Sequence, residues 1–185
     1  MMKSILTLIG LLCGLVFCAN AQTSPTSAHK IFVRIGPEVL FPVGTTAELN
    51  GISPGVSLQG AYQILPQLEL TLSAMAVSVP PSKLYRELWE PWYATKFKNS
   101  LFFPVKAGGR YQVLPRLFVA AQAGASIPKD SFREVSFAYE AGLGTSFKCS
   151  GRSAFEIAAK YEAWALNAHS VTSFLGLRAA YSFGF

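Results

Sequence analysis

The sequence predicts an all-β fold, an eight-stranded antiparallel up-and-down transmembrane β-barrel, and three observations lead to it. The chain of 185 residues is 51% hydrophobic but only 14% charged, whereas a soluble domain usually carries about 25% charged residues. The body of the chain has no apolar run of about 20 residues, which a membrane helix would need. Eight segments instead alternate between apolar and polar residues, the pattern of strands that have one apolar face.

The first 21 residues have the three parts of a cleavable secretory signal peptide. A short basic start at Met1 to Lys3 precedes an apolar stretch from Ile5 to Phe17, and Ala19-Asn20-Ala21 offers the small residues of a cleavage site. An uncleaved membrane anchor is the alternative, but the apolar stretch is short for a span. We therefore expect export, cleavage after Ala21 and a disordered polar lead at residues 22–29.

The cysteines bear on how the exported chain is stabilised. Leu15 and Cys18 have the spacing of a lipoprotein signal, but the bulky Phe17 stands where that signal has a small residue. Cleavage after Ala21 leaves Cys149 as the one cysteine of the mature chain. A single thiol cannot form an internal disulfide, so stability has to come from a hydrogen-bonded framework such as a closed barrel.

The barrel domain is predicted at residues 30–185, and the connections between its strands alternate in length. Short turns follow the second, fourth and sixth strands, and mostly longer loops follow the others. Bacterial barrels have short periplasmic turns, longer extracellular loops and an even number of strands. The predicted strands are 30–41, 55–65, 67–79, 101–114, 116–127, 134–148, 153–165 and 171–185.

Two prolines complicate the strand boundaries. Pro37 and Pro104 fall inside the first and fourth predicted strands, and proline cannot donate a hydrogen bond to a ladder. Each proline therefore indicates a bulge, a strand end, or a strand boundary that lies several residues from the position given above.

One face of the predicted strands carries nearly all of their charge. Its six bases nearly balance its five acids, as a closed interior requires, since an unpaired buried charge is costly. Aromatic residues cluster near strand ends, as they do at membrane interfaces. We therefore predict that the charged face lines the lumen as a charge network. Its members are Arg34, Glu38, Glu69, Lys106, Arg110, Glu140, Lys148, Glu156, Lys160, Glu162 and Arg178.

Eight strands enclose an interior just wide enough for side chains to fill. The charged residues, with four glutamines and Trp164 on the same face, predict a plugged lumen rather than a diffusion pore. Glu140, Lys160 and Arg178 lie on consecutive strands and are expected to form one salt-bridge cluster. A narrow, porin-like ion path through these groups is the alternative.

The last strand ends on an alternating aromatic row, Tyr181, Phe183 and Phe185. This segment resembles the C-terminal assembly signal of outer-membrane barrels, and the mature chain is similar to the OmpA/OmpX-like eight-stranded group, a porin-like outer-membrane β-barrel domain. The resemblance implies insertion by the barrel-assembly machinery and residence in the bacterial outer membrane, in contact with its lipid. The oligomeric state stays open, with a monomer expected.

The long loop at residues 80–100 is aromatic and basic. Tyr85, Trp89, Trp92 and Tyr93 are expected either to form a surface recognition patch or to lie at the membrane interface. The neighbouring Lys and Arg side chains could contact lipopolysaccharide phosphates, whereas an exported chain is not expected to meet nucleic acid. The function predicted is therefore structural or surface interaction through extracellular loops.

Two further classes of protein share some of these features. A soluble, secreted, lipocalin-like binder of small ligands has the same alternation, but its apolar face points inward and its charged face meets water. A lipid A-modifying enzyme would need a site near the last strands, where His169-Ser170 lies close in sequence to Glu156 and Glu162. The His-x-Ser spacing of the known deacylases is absent, and we find no cofactor, metal or nucleotide motif. The sequence therefore predicts no enzyme.

Overall fold

The computed structural model describes residues 31–93, 98–130, 134–150, 153–167 and 170–185. Its eight strands form a closed barrel in which each strand pairs antiparallel with its sequence neighbours and the last pairs with the first. The strands are β1 (Ile31–Pro42), β2 (Ser53–Leu65), β3 (Leu68–Val79), β4 (Ser100–Gln112), β5 (Leu117–Pro128), β6 (Ser136–Ser150), β7 (Ser153–Asn167) and β8 (Ser170–Gly184).

The predicted fold class is confirmed, and each strand boundary lies within two residues of its predicted position. The strands were predictable because alternation with period two places successive side chains on opposite faces of a sheet. The predicted signal peptide at residues 1–21 and the polar lead at 22–29 lie outside the described residues.

The two faces of the barrel are arranged as in a membrane barrel. Charged side chains such as Arg34, Lys106 and Glu162 are buried inside. Large apolar side chains such as Leu72 and Phe137 are more than half exposed on the outside. A soluble barrel has the opposite arrangement, with its apolar face inside. The outer surface is therefore apolar, as contact with the hydrocarbon of a membrane requires. This arrangement does not support the soluble, lipocalin-like alternative.

The two prolines lie within strands and not at their ends. Pro37 sits opposite Val56 of β2, while the ladder between β1 and β8 is interrupted at Gly36 and Pro37. Pro104 likewise sits opposite Ser126 of β5, with the interruption on its β3 side. Each proline lacks one N–H donor, so pairing is lost on one side only and the barrel stays closed.

The loop end of the barrel carries two helices, α1 (Thr46–Leu49) and α2 (Lys83–Tyr93). Neither of these helices, in the part of the chain that is described, is long and apolar enough to span a bilayer. The backbone N–H of Tyr85 donates to the Ser82 Oγ at 3.0 Å, so Ser82 caps the N-terminus of α2. The Ser82 N–H also donates to the carbonyl of Leu49 at 2.9 Å, which joins the two loops.

Glycines occur where the inside of the barrel leaves no room for a side chain. A Cβ at Gly108 on the inner face of β4 would overlap the carbonyl oxygen of Ala121 on β5. The outward-facing Gly60 of β2 has nothing within 4 Å of the same position. The inner glycine therefore lets neighbouring strands approach closely at a point of curvature.

Gly108→Ala is expected to lower the free energy of unfolding by about 1–3 kcal/mol, because the added methyl group forces neighbouring backbone to move. Gly60→Ala is the matched control and should be neutral or stabilising by up to about 1 kcal/mol. Reversible urea unfolding of the barrel in lipid vesicles measures both. Equal losses in the two variants would contradict the argument from curvature.

Candidate functional site

The lumen contains two groups of ion pairs, and the first lies near the short turns. We call Arg34, Glu69, Arg110 and Glu156 the turn-end cluster. Arg34 contacts Glu69 at 2.6 Å and Glu156 at 3.1 Å. Arg110 donates from Nη1 to both Glu156 carboxylate oxygens, at 2.9 and 2.8 Å. Two bases thus meet two acids, and the cluster is neutral.

Aromatic rings pack against the bases of this cluster. The guanidinium of Arg110 lies 3.6 Å from the ring centroid of the buried Phe118. The guanidinium of Arg34 lies 5.4 Å from the centroid of Phe32. Both distances are within the range of a cation–π contact, so rings and ion pairs together fill the turn end of the lumen.

The second group, which we call the central cluster, consists of Glu38, Lys106, Glu140, Lys160 and Glu162. Lys106 Nζ lies 2.7 Å from Glu162 Oε1 and also pairs with Glu140. Lys160 Nζ lies 2.7 Å from both Glu140 and Glu162 and contacts Glu38. Three acids share two bases, which leaves this cluster with one net negative charge.

Arg178 supplies the balancing positive charge. It is paired across the β1–β8 ladder with Glu38, and its Nη1 donates to Gln59 Oε1 at 3.3 Å. Among the described residues, its Nε and Nη2 have no hydrogen-bond partner. Arg178 lines a cavity of about 40 Å³ together with Arg110, Glu140 and Lys160. That volume is enough for a few water molecules.

The structure therefore brings together most of the predicted charge network. Of the expected salt-bridge cluster, Glu140 and Lys160 are in contact, whereas Arg178 lines the same cavity and bonds to Gln59 instead. Lys148 does not join the network. It lies on the inner face of β6 but is exposed, because it is close to the short turn where the barrel opens to solvent.

A third layer, near the long loops, is apolar and was not predicted. The rings of Trp164 and Phe174 pack with centroids 4.8 Å apart, and Phe102 packs on Trp164 at 5.1 Å. The Trp164 indole N–H donates to Glu162 at 2.8 Å, which links this layer to the central cluster. We call it the loop-end plug. Its members are Leu40, Met75, Val77, Val79, Phe102, Ala138, Trp164 and Phe174.

The sequence held a signal for the plug. Leu40, Met75 and Trp164 share the face that carries the charges, and all three lie toward the loop ends of their strands. Large apolar side chains on the inward face indicate a packed core at that level of the barrel. The interpretation of that face as polar throughout missed this change along the barrel axis.

The predicted surface loop forms the helix α2. Leu84 and Leu88 are exposed and lie one turn apart on it, and Tyr85 at its start is half-buried. The predicted recognition residues Trp89, Trp92 and Tyr93 belong to the same helix. Their side chains lie outside the described part of the structure.

The last strand has its aromatic row on the outer face. Tyr181 and Phe183 pack with ring centroids 4.7 Å apart, and both are exposed, as is Phe185. The Phe185 N–H donates to the carbonyl of Ile31 at 2.9 Å, which ties the end of the chain to the start of β1. A role for this row as an assembly signal stays a prediction.

Of the residues considered for an enzyme, the structure describes the two glutamates and Ser170. His169 lies outside the described residues. Glu156 and Glu162, its proposed partners, are ion-paired inside the lumen. In the described ranges, no group of three His, Cys, Asp or Glu side chains is placed to hold a metal ion.

No protein-family model matches the chain, and no curated protein matches its sequence. The structure is nevertheless similar to solved outer-membrane barrels. The similarity to Ail, the attachment invasion locus protein of Yersinia pestis, has a TM-score of 0.56 at 16% identity and covers 84% of this chain and 99% of Ail. For Neisserial surface protein A the TM-score is 0.58 at 10% identity, with 84% and 97% covered.

OprG from Pseudomonas aeruginosa gives a TM-score of 0.54 at 11% identity, with 87% of this chain and 99% of OprG covered. At these identities the likeness shows the fold. The chain has the fold of a small eight-stranded outer-membrane β-barrel, an architecture consistent with the OmpA/OmpX-like group. Its neighbours point to the bacterial outer membrane, and none of their three names describes an enzyme.

Lys160→Met should lower the free energy of unfolding by about 3–5 kcal/mol, because it removes an ammonium group shared by the buried carboxylates of Glu38 and Glu162 and the part-buried one of Glu140. Lys148→Met, which removes an exposed lysine, should change it by no more than about 0.5 kcal/mol. Urea unfolding in vesicles gives both values. Comparable stability of the two variants would show that the central cluster does not hold the barrel together.

Proposed function

We propose that this protein is a non-conducting outer-membrane barrel that acts as a structural or surface-interaction protein through its loop end. The observation that carries the proposal is the filling of the lumen by three successive layers. The turn-end cluster, the central cluster and the loop-end plug leave a cavity of only about 40 Å³ at the level of Arg178. A solute would have to displace buried side chains to pass.

The energy of the ion pairs supports a closed lumen. Five bases and five acids lie inside, counting Arg178 and leaving out Lys148. Moving Lys160 aside removes the ion-pair contact of Glu38 and one contact each of Glu140 and Glu162. Taking the partner from a buried carboxylate costs about 3–5 kcal/mol. Side chains held in this way do not easily move aside to open the lumen, because several ion pairs would have to break together.

The loop end is the part of the molecule that can meet a partner. α1 and α2 are joined by backbone hydrogen bonds between their loops, so they form one cap. Exposed Leu84 and Leu88 lie beside the exposed basic Lys83 on α2, and Lys98 follows on the same loop. Apolar and basic groups together suit an amphiphilic anionic partner, and we propose lipopolysaccharide at the cell surface.

One neighbouring structure offers a parallel for anion binding. A crystal structure of Ail contains the heparin analogue sucrose octasulfate. For the present chain, the exposed Lys83 and Lys98 are the candidates for contact with phosphate or sulfate groups. Trp89, Trp92 and Tyr93 are the proposed aromatic contacts on the same loop.

The closed lumen is tested by planar-bilayer recording of the purified barrel. We expect no stable large conductance steps, since the two ion-pair clusters and the loop-end plug occupy the lumen that the described strands enclose. The alternative is a narrow ion channel, and the observation that favours it is the cavity beside Arg178. Reproducible large steps from pure protein would overturn the non-conducting assignment and favour that channel.

The surface role is tested by the double variant Trp89→Ala with Trp92→Ala. Binding to lipopolysaccharide vesicles and to whole cells should weaken by roughly tenfold or more, as for aromatic contacts at the centre of an interface. Leu114→Ala, an exposed residue at the opposite, short-turn end, is the control and should bind as the parent does. Heat-modifiable migration on gels verifies folding of each variant. Unchanged binding by the double variant would show that the aromatic residues of α2 do not contact lipopolysaccharide.

A further inference from the structure

The outer face of the barrel contains an apolar groove that the proposed function does not use. The groove has a volume of about 490 Å³ and crosses β6, β7 and β8 beside the loop end of β1. Small residues, Ala141, Gly142, Ala159 and Gly176, lie between large ones. The large residues are Phe41, Leu143, Tyr161, Leu175 and Leu177. Lys160 also contributes to the lining, but its ammonium group is ion-paired with Glu140 and Glu162 in the lumen.

Strand register builds this groove into the barrel wall. Ala159 of β7 is paired with Leu143 of β6 on one side and with Leu177 of β8 on the other. One step toward the loops, Tyr161 is paired with Ala141 and Leu175. The depression therefore follows from the pairing of small with large side chains in adjacent ladders.

The groove opens onto the surface that faces hydrocarbon. An empty groove would lose dispersion contacts along its whole lining, and water finds almost no polar partner there. The material available at this depth is the hydrocarbon chain of a lipid. The groove reaches Phe41, one residue before the end of β1 at the first long loop, which places its upper end in the outer leaflet because long loops are extracellular.

We propose that this groove is a binding site for one acyl chain of an outer-leaflet lipid. Its volume falls within the range of about 300–1,000 Å³ found for small-molecule pockets. A two-fold dimer whose axis passes through the groove would place the groove against itself and leave a void, so a second copy of the barrel fits less well. The proposal rests on the membrane location of the outer face and is independent of any role for α2.

The test compares lipid retention in three forms of the mature protein. Each is folded into vesicles of saturated phosphatidylcholine, extracted with a mild detergent and examined by native mass spectrometry. Ala159→Leu fills the groove, whereas Ala107→Leu adds the same atoms to an exposed position on β4, outside the groove. Gel migration with and without heating verifies that all three are folded.

The parent protein and Ala107→Leu should each retain one phosphatidylcholine, and retention by Ala159→Leu should fall by at least about tenfold, which corresponds to about 1.4 kcal/mol. Equal retention by all three forms, or none by the parent, would overturn the proposal. A dimer that is present in the parent and lost only in Ala159→Leu would also overturn it, since the occupant would then be a second barrel.

Discussion

Closure of the β1–β8 ladder is the constraint on which the rest of this structure depends. Once the sheet closes, each strand residue points either into the lumen or toward the surroundings. Alternation then places ten charged groups of the described strands in the same interior, besides Lys148 near an open turn. Eight strands give that interior little spare room. The charges can then be accommodated only by pairing with one another, and the close strand contacts at glycines such as Gly108 follow from the same tight curvature.

The fold was predictable from the sequence because both faces of each strand could be identified by their residues. Alternation with period two located the strands, and the balance of acids and bases on one face indicated a closed interior. The level of each side chain along the barrel axis was not predictable from alternation, because it depends on register and on the tilt of the strands. The loop-end plug was missed for this reason, and Lys148 was placed in the network although it lies beside an open turn.

The structure of the long loops is harder to predict from the sequence of each loop alone. The composition of residues 80–100 predicts an aromatic loop, yet α2 forms there because Ser82 caps it. Hydrogen bonds from Ser82 and Gly51 hold the two loops together. Contacts between loops that are distant in sequence decide such structure, and no single segment contains them. The groove on the outer face was equally hidden, since Ala159 and Leu177 become neighbours only through the β7–β8 register.

The reach of Arg34 has a consequence for biogenesis. This one side chain of β1 pairs with Glu69 on β3 and with Glu156, which lies 122 residues further along the chain on β7. A nascent sheet that lacks its last strands would hold Arg34 beside only one of its two carboxylate partners, at the edge of a hydrocarbon phase. Long-range contacts of this kind form late and slow folding. The turn-end cluster is therefore complete only when β1, β3, β4 and β7 all belong to the sheet.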